Sequence, residues 1–377
     1  MRRHTHTPRR TTLVAVAAAA SMFVLAACGG NGGGSGDASA LPSDSLNPSV
    51  DLKTQSLVVS NWAAYMPDDL PANFQKEVGP KVTVTTHATN EEIVAKLTAG
   101  TDSGIDVAFV SGQYAQALAA QGLLEPIHAD LIPNLANLYP EATKLPYDIG
   151  NKYSVPYSWG TTGLCYRSDK LSFTPDSWND LLSPRPELVG KTTMLATERW
   201  LMLPAQKSLG FSANTTDPAQ MDQVKAKLIA TKPTLLAYDD TTFYDRLVSG
   251  EALMVEAWDG WCNYGIAKDK NIKFVVPKEG SDLWADTMVI LKTSKNKEAA
   301  HALINYILGA KVQSWVVENI LYKVPNKAAM DLVAPALEVD YPNLAFTPTD
   351  LLKQEGLVDL GDAGPMYTKI ATEVTAS

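Results

Sequence analysis

Aromatic residues are grouped at three places in the sequence, and two of these groups include an acid. The groups are Trp62 and Tyr65; Trp258, Asp259 and Trp261; and Trp284 and Asp286. An aromatic ring attracts a cation to its face, and a nearby carboxylate neutralises the charge. A single tryptophan is more often a core residue, but the three groups together have the composition of a cation-binding box.

The groups lie at the ends of segments with the pattern of β-strands. Apolar or alternating residues predict strands at 56–61, 81–86, 107–110, 252–257 and 272–276. Helical spacing predicts helices at 67–78, 90–99, 218–230, 297–308 and 311–320, the second of them capped by Asn90. Strands that alternate with helices indicate an α/β fold class, with open sheets covered by helices. Ligands of such sheets bind where strands end.

The N-terminus has the pattern of a bacterial lipoprotein signal. An apolar run follows four arginines, ends in Leu25-Ala26-Ala27-Cys28, and precedes a glycine-rich stretch. The run is too short to span a bilayer, which needs about 20 apolar residues. We therefore predict a signal peptide at 1–27, a lipid on the Cys28 sulfur, and a flexible linker at 28–50. An ordinary transmembrane anchor is the alternative.

The remaining chain is acidic and long enough for two lobes. Residues 1–27 hold four arginines and no acid, so the net charge of −9 becomes −13 without them. This charge argues against nucleic acid or an anionic membrane surface as a partner. About 325 ordered residues exceed what one core usually supports, and no linker divides them. We expect two lobes joined by chain crossings.

Catalytic and metal-binding motifs are absent from the sequence. It has no Walker loop, Gly-x-Gly-x-x-Gly, Gly-x-Ser-x-Gly or His-Glu-x-x-His pattern, and the histidines after residue 27 are isolated from one another. We therefore expect no enzyme activity, no metal and no cofactor, with a triad assembled from distant residues as the alternative. Cys165 and Cys262 could form a disulfide or stay as free thiols.

Six runs of residues, distributed over residues 55–375, carry a family resemblance. The runs are Asn61-Trp62-Ala63-Ala64-Tyr65; Asn90-Glu91-Glu92; Pro156-Tyr157-Ser158-Trp159-Gly160-Thr161-Thr162; Asn214-Thr215-Thr216-Asp217-Pro218; Pro277-Lys278-Glu279-Gly280 with Trp284 and Asp286; and Pro325-Asn326-Lys327-Ala328-Ala329. In content and order they resemble the spermidine/putrescine-binding proteins of bacterial ABC importers. The resemblance implies a type II periplasmic-binding-protein fold, with the ligand in a cleft between two lobes.

The resemblance also implies where the lobes begin and end. Lobe 1 would comprise residues 51–160 and 285–324, and lobe 2 would comprise residues 161–284 and 325–377. The chain would cross between them near 157–163, 284–289 and 322–325. Hinge motion at these crossings would close the lobes around the ligand.

The same resemblance assigns ligand contacts to individual residues. The matching positions are Trp62, Tyr65, Ser111, Trp258, Trp284, Asp286 and Tyr322, with Asp286 as the central counter-charge. The chain departs from the family where the ends of the ligand would bind, because Thr197 and Trp200 stand in place of two acids. Polar family residues are also replaced at Ala63, Gln113 and near Leu357. Weaker candidates for ligand contact are Gln113, Glu198, Trp200, Asp240 and Trp261, and Glu198, Asp240 or Asp259 could serve a distal amine.

The sequence therefore predicts a monomeric, lipid-anchored substrate-binding protein on the extracytoplasmic face of the cell membrane. It would deliver a small cationic amine to the permease subunits of an ABC importer, with putrescine and spermidine as the leading ligands. A monocationic or quaternary ammonium compound or an amino-acid derivative is the alternative, because a second ammonium buried without an acid would be unfavourable. A sugar-binding protein, a lipid-anchored hydrolase and an adhesin are less favoured.

Overall fold

The computed structural model of the protein describes residues 46–100 and 102–377, which belong to one compact unit. The predicted signal peptide, Cys28 and most of the predicted linker lie outside the described residues. Within the described ranges, no helix combines the length and the apolar character needed to cross a membrane.

Eleven strands in the described part of the chain form two mixed sheets. They are β1 (Ser56–Asn61), β2 (Lys81–Thr86), β3 (Val107–Ser111), β4 (Ser154–Gly160), β5 (Thr162–Arg167), β6 (Thr192–Met194), β7 (Ala237–Tyr238), β8 (Met254–Trp258), β9 (Ile272–Val275), β10 (Asp282–Ile290) and β11 (Glu355–Gly356). The first sheet has the order β11-β10-β3-β1-β2, and β4 also pairs with β10. The second sheet has the order β7-β6-β8-β5-β9.

Thirteen α-helices in the described residues accompany these sheets. They are α1 (Leu70–Glu77), α2 (Asn90–Thr98), α3 (Gly112–Ala120), α4 (Asn179–Leu182), α5 (Glu198–Ser208), α6 (Pro218–Thr231), α7 (Phe243–Ser249), α8 (Asp259–Lys268), α9 (Lys297–Ile307), α10 (Ala310–Asn319), α11 (Lys327–Leu337), α12 (Pro348–Leu351) and α13 (Gly364–Ala376). Two mixed sheets covered by helices confirm the predicted α/β class.

The pairing of the first sheet determines which residues lie at its binding edge. Strands β1, β2 and β3 are parallel, so their carboxyl ends lie at the same edge. Strand β10 runs antiparallel to both β3 and β4 and lies between them. All five residues of β3 are buried, as expected for a strand whose sheet is covered on both faces.

Local side-chain chemistry explains where two predicted helix starts differ from the structure. The first helix begins at Leu70 rather than 67, because Pro71 suits only the first turn of a helix. The second helix is capped by Thr89, whose hydroxyl accepts a hydrogen bond from the Glu92 amide at 3.2 Å. The predicted cap, Asn90, is wrong, because its side chain instead bonds Ser111.

A disulfide joins Cys165 in β5 to Cys262 in α8. The sequence left this pairing open, since no spacing specified it. The bridge closes a sequence separation of 97 residues and holds α8, which carries Asp259 and Trp261, against the second sheet.

Short segments connect the two sheets. Gly160 ends β4 in the first sheet, and Thr162 begins β5 in the second. Asp282, the first residue of β10, accepts hydrogen bonds from the Thr162 amide at 2.9 Å and from Trp200 Nε1 at 2.8 Å. Helix α13 packs against α5 and α6, whereas α11 packs against α10. The lobe limits given above stay a prediction.

Candidate ligand-binding site

Asp286 is a partly exposed carboxylate that only neutral groups contact. Strand pairing places it opposite Ser111, whose hydroxyl donates to Oδ1 at 2.7 Å. The Tyr65 hydroxyl donates to Oδ2, also at 2.7 Å. In the described part of the chain, no lysine or arginine forms an ion pair with this carboxylate. Burial raises the pKa of Asp286, and the two hydroxyl donors oppose that rise.

Two further residues hold these hydroxyl donors in position. The Asn90 side chain accepts a hydrogen bond from the Ser111 amide at 2.9 Å and donates to its hydroxyl at 3.1 Å. The Tyr157 hydroxyl donates to the Tyr65 carbonyl at 2.6 Å. Sequence reasoning assigned no binding-site role to Asn90 or Tyr157, although both lie in runs that carry the family resemblance. Membership of those runs was the signal that could have identified them.

Four aromatic side chains surround the Asp286 region, and we call them the aromatic cage: Trp62, Tyr65, Tyr322 and Trp284. Ring centroids are 5.5 Å apart for Trp62 and Tyr65, 6.3 Å for Tyr65 and Tyr322, and 5.2 Å for Tyr322 and Trp284. Each pair meets edge to face, an arrangement that aromatic rings favour. The structure therefore brings five predicted residues, the four cage aromatics and Ser111, together around the carboxylate of a sixth, Asp286.

Tyr322 is fixed by close packing against the start of α8. A β-carbon on Gly260 would lie 1.7 Å from Cδ1 of the Tyr322 ring. No other residue type fits at that point without moving the ring. Helix α8 of the second sheet thus sets the position of one wall of the cage.

Trp258 and Trp200 form a second aromatic pair. Their rings meet edge to face with centroids 5.4 Å apart. Trp200 is buried, and its Nε1 donates to Asp282, an acid that sequence reasoning did not single out. Phe243 contacts both Trp258 and Trp261 and so links Trp261 to this pair. The other ring contacts of Trp261 are with Tyr244 and Tyr264.

The three acids considered for a distal amine all have protein partners. Asp240 accepts hydrogen bonds from the Ala196 amide at 2.7 Å and the Thr197 hydroxyl at 3.1 Å. Glu198 accepts one from Thr368 at 3.2 Å, and its pKa is raised by burial and by Glu91. Asp259 forms a buried ion pair with Lys323.

The ion pair bears on the expectation that Asp259 could serve a distal amine. A ligand ammonium would have to compete there with a lysine that is already in place. In contrast, the hydrogen bonds that Asp240 and Glu198 accept come from neutral groups only.

Several buried donors have no hydrogen-bond partner among the described residues. Two of them are Trp284 Nε1 in the cage and Nε2 of Gln113, the second residue of α3. Buried donors usually find an acceptor, so these two groups could serve an oxygen of a ligand. The described residues contain no group of side chains with the composition of a metal site.

Comparison with known proteins identifies the family. Residues 70–344 match the model of the bacterial extracellular solute-binding proteins. The chain belongs to this family. A relative that is 33% identical over 327 residues is the spermidine/putrescine-binding periplasmic protein of Salmonella typhimurium, with 85% of this chain and 92% of the relative covered.

Two solved structures show that the similarity of this solute-binding protein to its relatives includes the fold. A spermidine/putrescine ABC transporter substrate-binding protein from Streptococcus pneumoniae aligns with a TM-score of 0.74, and a putative spermidine/putrescine ABC transporter from Listeria monocytogenes aligns with 0.77. Each is 28% identical, and each alignment covers 85% of this chain and 99% of the other. The predicted type II periplasmic-binding-protein fold is confirmed.

Proposed function

We propose that this solute-binding protein is the lipid-anchored receptor of an ABC importer and captures a small cationic amine. Putrescine and spermidine are the leading ligands. The observation that carries the proposal is Asp286, a partly exposed carboxylate with neutral donors and no cation, placed among four aromatic rings. The names of the relatives agree with this ligand class.

The site supplies enough interactions for useful affinity. A cation against an aromatic face gains about 0.5 to 2 kcal/mol. A hydrogen bond to a charged group gains about 1.5 to 3 kcal/mol. Several rings and one carboxylate therefore support micromolar binding of one ammonium group. Closure of the two lobes would bury the cation and form the surface that the permease subunits recognise.

A second candidate ligand is an amine that also carries a hydrogen-bond acceptor, such as an amino-acid derivative. The unpartnered donors Trp284 Nε1 and Gln113 Nε2 favour it. An acceptor on the ligand would satisfy one or both of them. Such a ligand uses the same Asp286 for its ammonium group.

Parallel calorimetric titrations test the ligand class. Putrescine, spermidine, choline, an amino-acid amine and a neutral sugar are titrated into the wild type and into Glu198→Gln. We expect a cationic amine to bind with a dissociation constant in the micromolar range or below, and the sugar not to bind, because Asp286 requires a positive partner. Loss of spermidine binding in Glu198→Gln would identify Glu198 as the distal acid.

Binding of the sugar with no response to any amine would contradict the proposal. Small-angle scattering provides the second readout, since lobe closure reduces the radius of gyration. An unchanged radius at saturating ligand would exclude the closing mechanism.

The predicted anchor has its own test in Cys28→Ala. Without the sulfur there is no acceptor for the lipid, so the variant should lose its mature, membrane-bound form. Its ligand affinity should stay within about twofold, because the predicted linker would separate Cys28 from the binding site. Cell fractionation followed by immunoblotting measures this. Ser43→Ala in the predicted linker is the control and should stay in the membrane fraction. A mature Cys28→Ala protein in that fraction would disprove lipid anchoring.

A further inference from the structure

Lys323 and Asp259 form an ion pair inside the protein, next to the aromatic cage. The side chains are only 3% and 1% exposed. The Lys323 ammonium donates to Asp259 Oδ2, and it also donates to the Asn343 carbonyl at 3.0 Å. Asn343 in turn donates to the Asp259 carbonyl at 3.1 Å. The pair is therefore enclosed by protein and held by several hydrogen bonds.

Asp259 lies directly behind the Trp284 and Tyr322 end of the cage. A β-carbon on Gly160 would lie 2.3 Å from Trp284 Cζ2 and 2.4 Å from Asp259 Oδ1, so the two atoms face the same point. Asp259 also contributes, after burial, to the raised pKa of Tyr322. Asp286 lies at the other end, where it bonds Tyr65. The cage thus has one carboxylate near each end.

These two carboxylates differ in their charge balance. Asp286 is partly exposed and has neutral donors, whereas Asp259 is balanced by Lys323. Two other acids nearby, Asp282 and Glu256, are completely enclosed and accept hydrogen bonds from backbone amides. A cation buried beside an already balanced ion pair gains little to offset its lost hydration.

We propose that Lys323 is a specificity-determining residue, which limits the buried part of the site to one ligand cation by occupying Asp259 itself. The proposal rests on the proposed function, in which the ligand is a cationic amine. A second ammonium of a longer polyamine then lies outside the cage, toward water or Glu198. A ligand with one cation and an uncharged remainder fits the buried part best.

A pair of ligands of equal length tests the inference: putrescine, with two ammonium groups, and 1-aminobutane, with one. Their affinities are measured by calorimetry in the wild type and in Lys323→Gln. Glutamine removes the charge but keeps an amide donor for Asp259 and Asn343. Asp286 already shows that this fold holds a carboxylate with neutral donors only.

Two further variants serve as controls. Lys327→Gln removes a nearby lysine whose pair with Asp331 is exposed. The double variant Asp259→Asn with Lys323→Gln removes both charges of the buried pair. Circular dichroism and thermal unfolding establish that each variant is folded.

We expect putrescine to bind the wild type no more than about tenfold tighter than 1-aminobutane, because its second charge finds no unbalanced acid in the cage. In Lys323→Gln the preference for putrescine should rise at least tenfold, since Asp259 then needs a cation. It should stay at the wild-type value in Lys327→Gln and return to it in the double variant.

An unchanged preference in folded Lys323→Gln would overturn the inference. If Lys323→Gln does not fold, the wild type and Glu198→Gln provide the test. A preference for putrescine above tenfold in both proteins would overturn the inference, and a wild-type preference below tenfold would support it. Failure of the wild type to bind either amine would instead count against the proposed function.

Discussion

Replacing Asp286 with asparagine is expected to weaken binding of a cationic amine at least 30-fold, and up to about 1,000-fold. Asparagine keeps the size of the side chain, and its oxygen can still accept a hydrogen bond from Ser111 or Tyr65. What disappears is the negative charge beside the cation in a partly desolvated cage. Calorimetry with the amine that binds the wild type measures the loss.

The control for this charge change is Asp68→Asn, an exposed aspartate in the loop after β1, which should leave affinity within about twofold. Acid provides a second check, because protonation of Asp286 has the same effect as the substitution. Burial holds the pKa of Asp286 above its ordinary value in the ligand-free protein. Wild-type affinity should therefore decline as the pH falls through that raised pKa, while Asp286→Asn shows no such decline. Equal affinities in the two proteins at neutral pH would place the counter-charge elsewhere.

Among these variants, the one without the disulfide should show the largest decrease in the free energy of unfolding. A bridge that closes a separation of 97 residues restricts the unfolded chain strongly, and such loops correspond to about 3 to 5 kcal/mol. The variant Cys165→Ala with Cys262→Ala should therefore have a free energy of unfolding lower by about that amount. Urea denaturation without ligand measures it.

Reducing agent distinguishes the bridge from the side chains that form it. Dithiothreitol should lower the urea midpoint of the wild type toward that of the double variant and leave the double variant unchanged. The dithiothreitol concentration must be high enough to release two free thiols. If the urea midpoint of the wild type does not change at that concentration, the bridge adds no stability.

Several elements of the fold follow directly from residue patterns. Strand β2 alternates along Lys81–Thr86 and β3 is an apolar run, and both form where the pattern predicts them. Strand β10 begins at Asp282, six residues before its apolar stretch at 288–290. Its first half contains two acids and a tryptophan, which hydropathy does not identify as a strand. Long-range pairing with β4 and β11 decides its start.

The site was predictable where it depends on residue type and order, and less so where it depends on packing. Grouped aromatics and the family resemblance led to the cage and to Asp286. Nothing in the local sequence indicates that Lys323 reaches Asp259, because the two are 64 residues apart. The contact exists only because the chain returns past α8 after α10. Charge balance in a buried site is a property of the folded chain, which a sequence motif does not contain.

The position of β10 also has a consequence for the order in which this protein can fold. The strand lies between β3 and β4, yet all strands of the second sheet precede it in the chain. While the chain folds, β3 and β4 therefore lack their shared neighbour until residues 282–290 are in place, and pairing at such long separation is slow. Until then both strands expose edges that can pair with other chains. A chain truncated before Asp282 should consequently aggregate, and the binding aspartate takes its place only when this late strand is inserted.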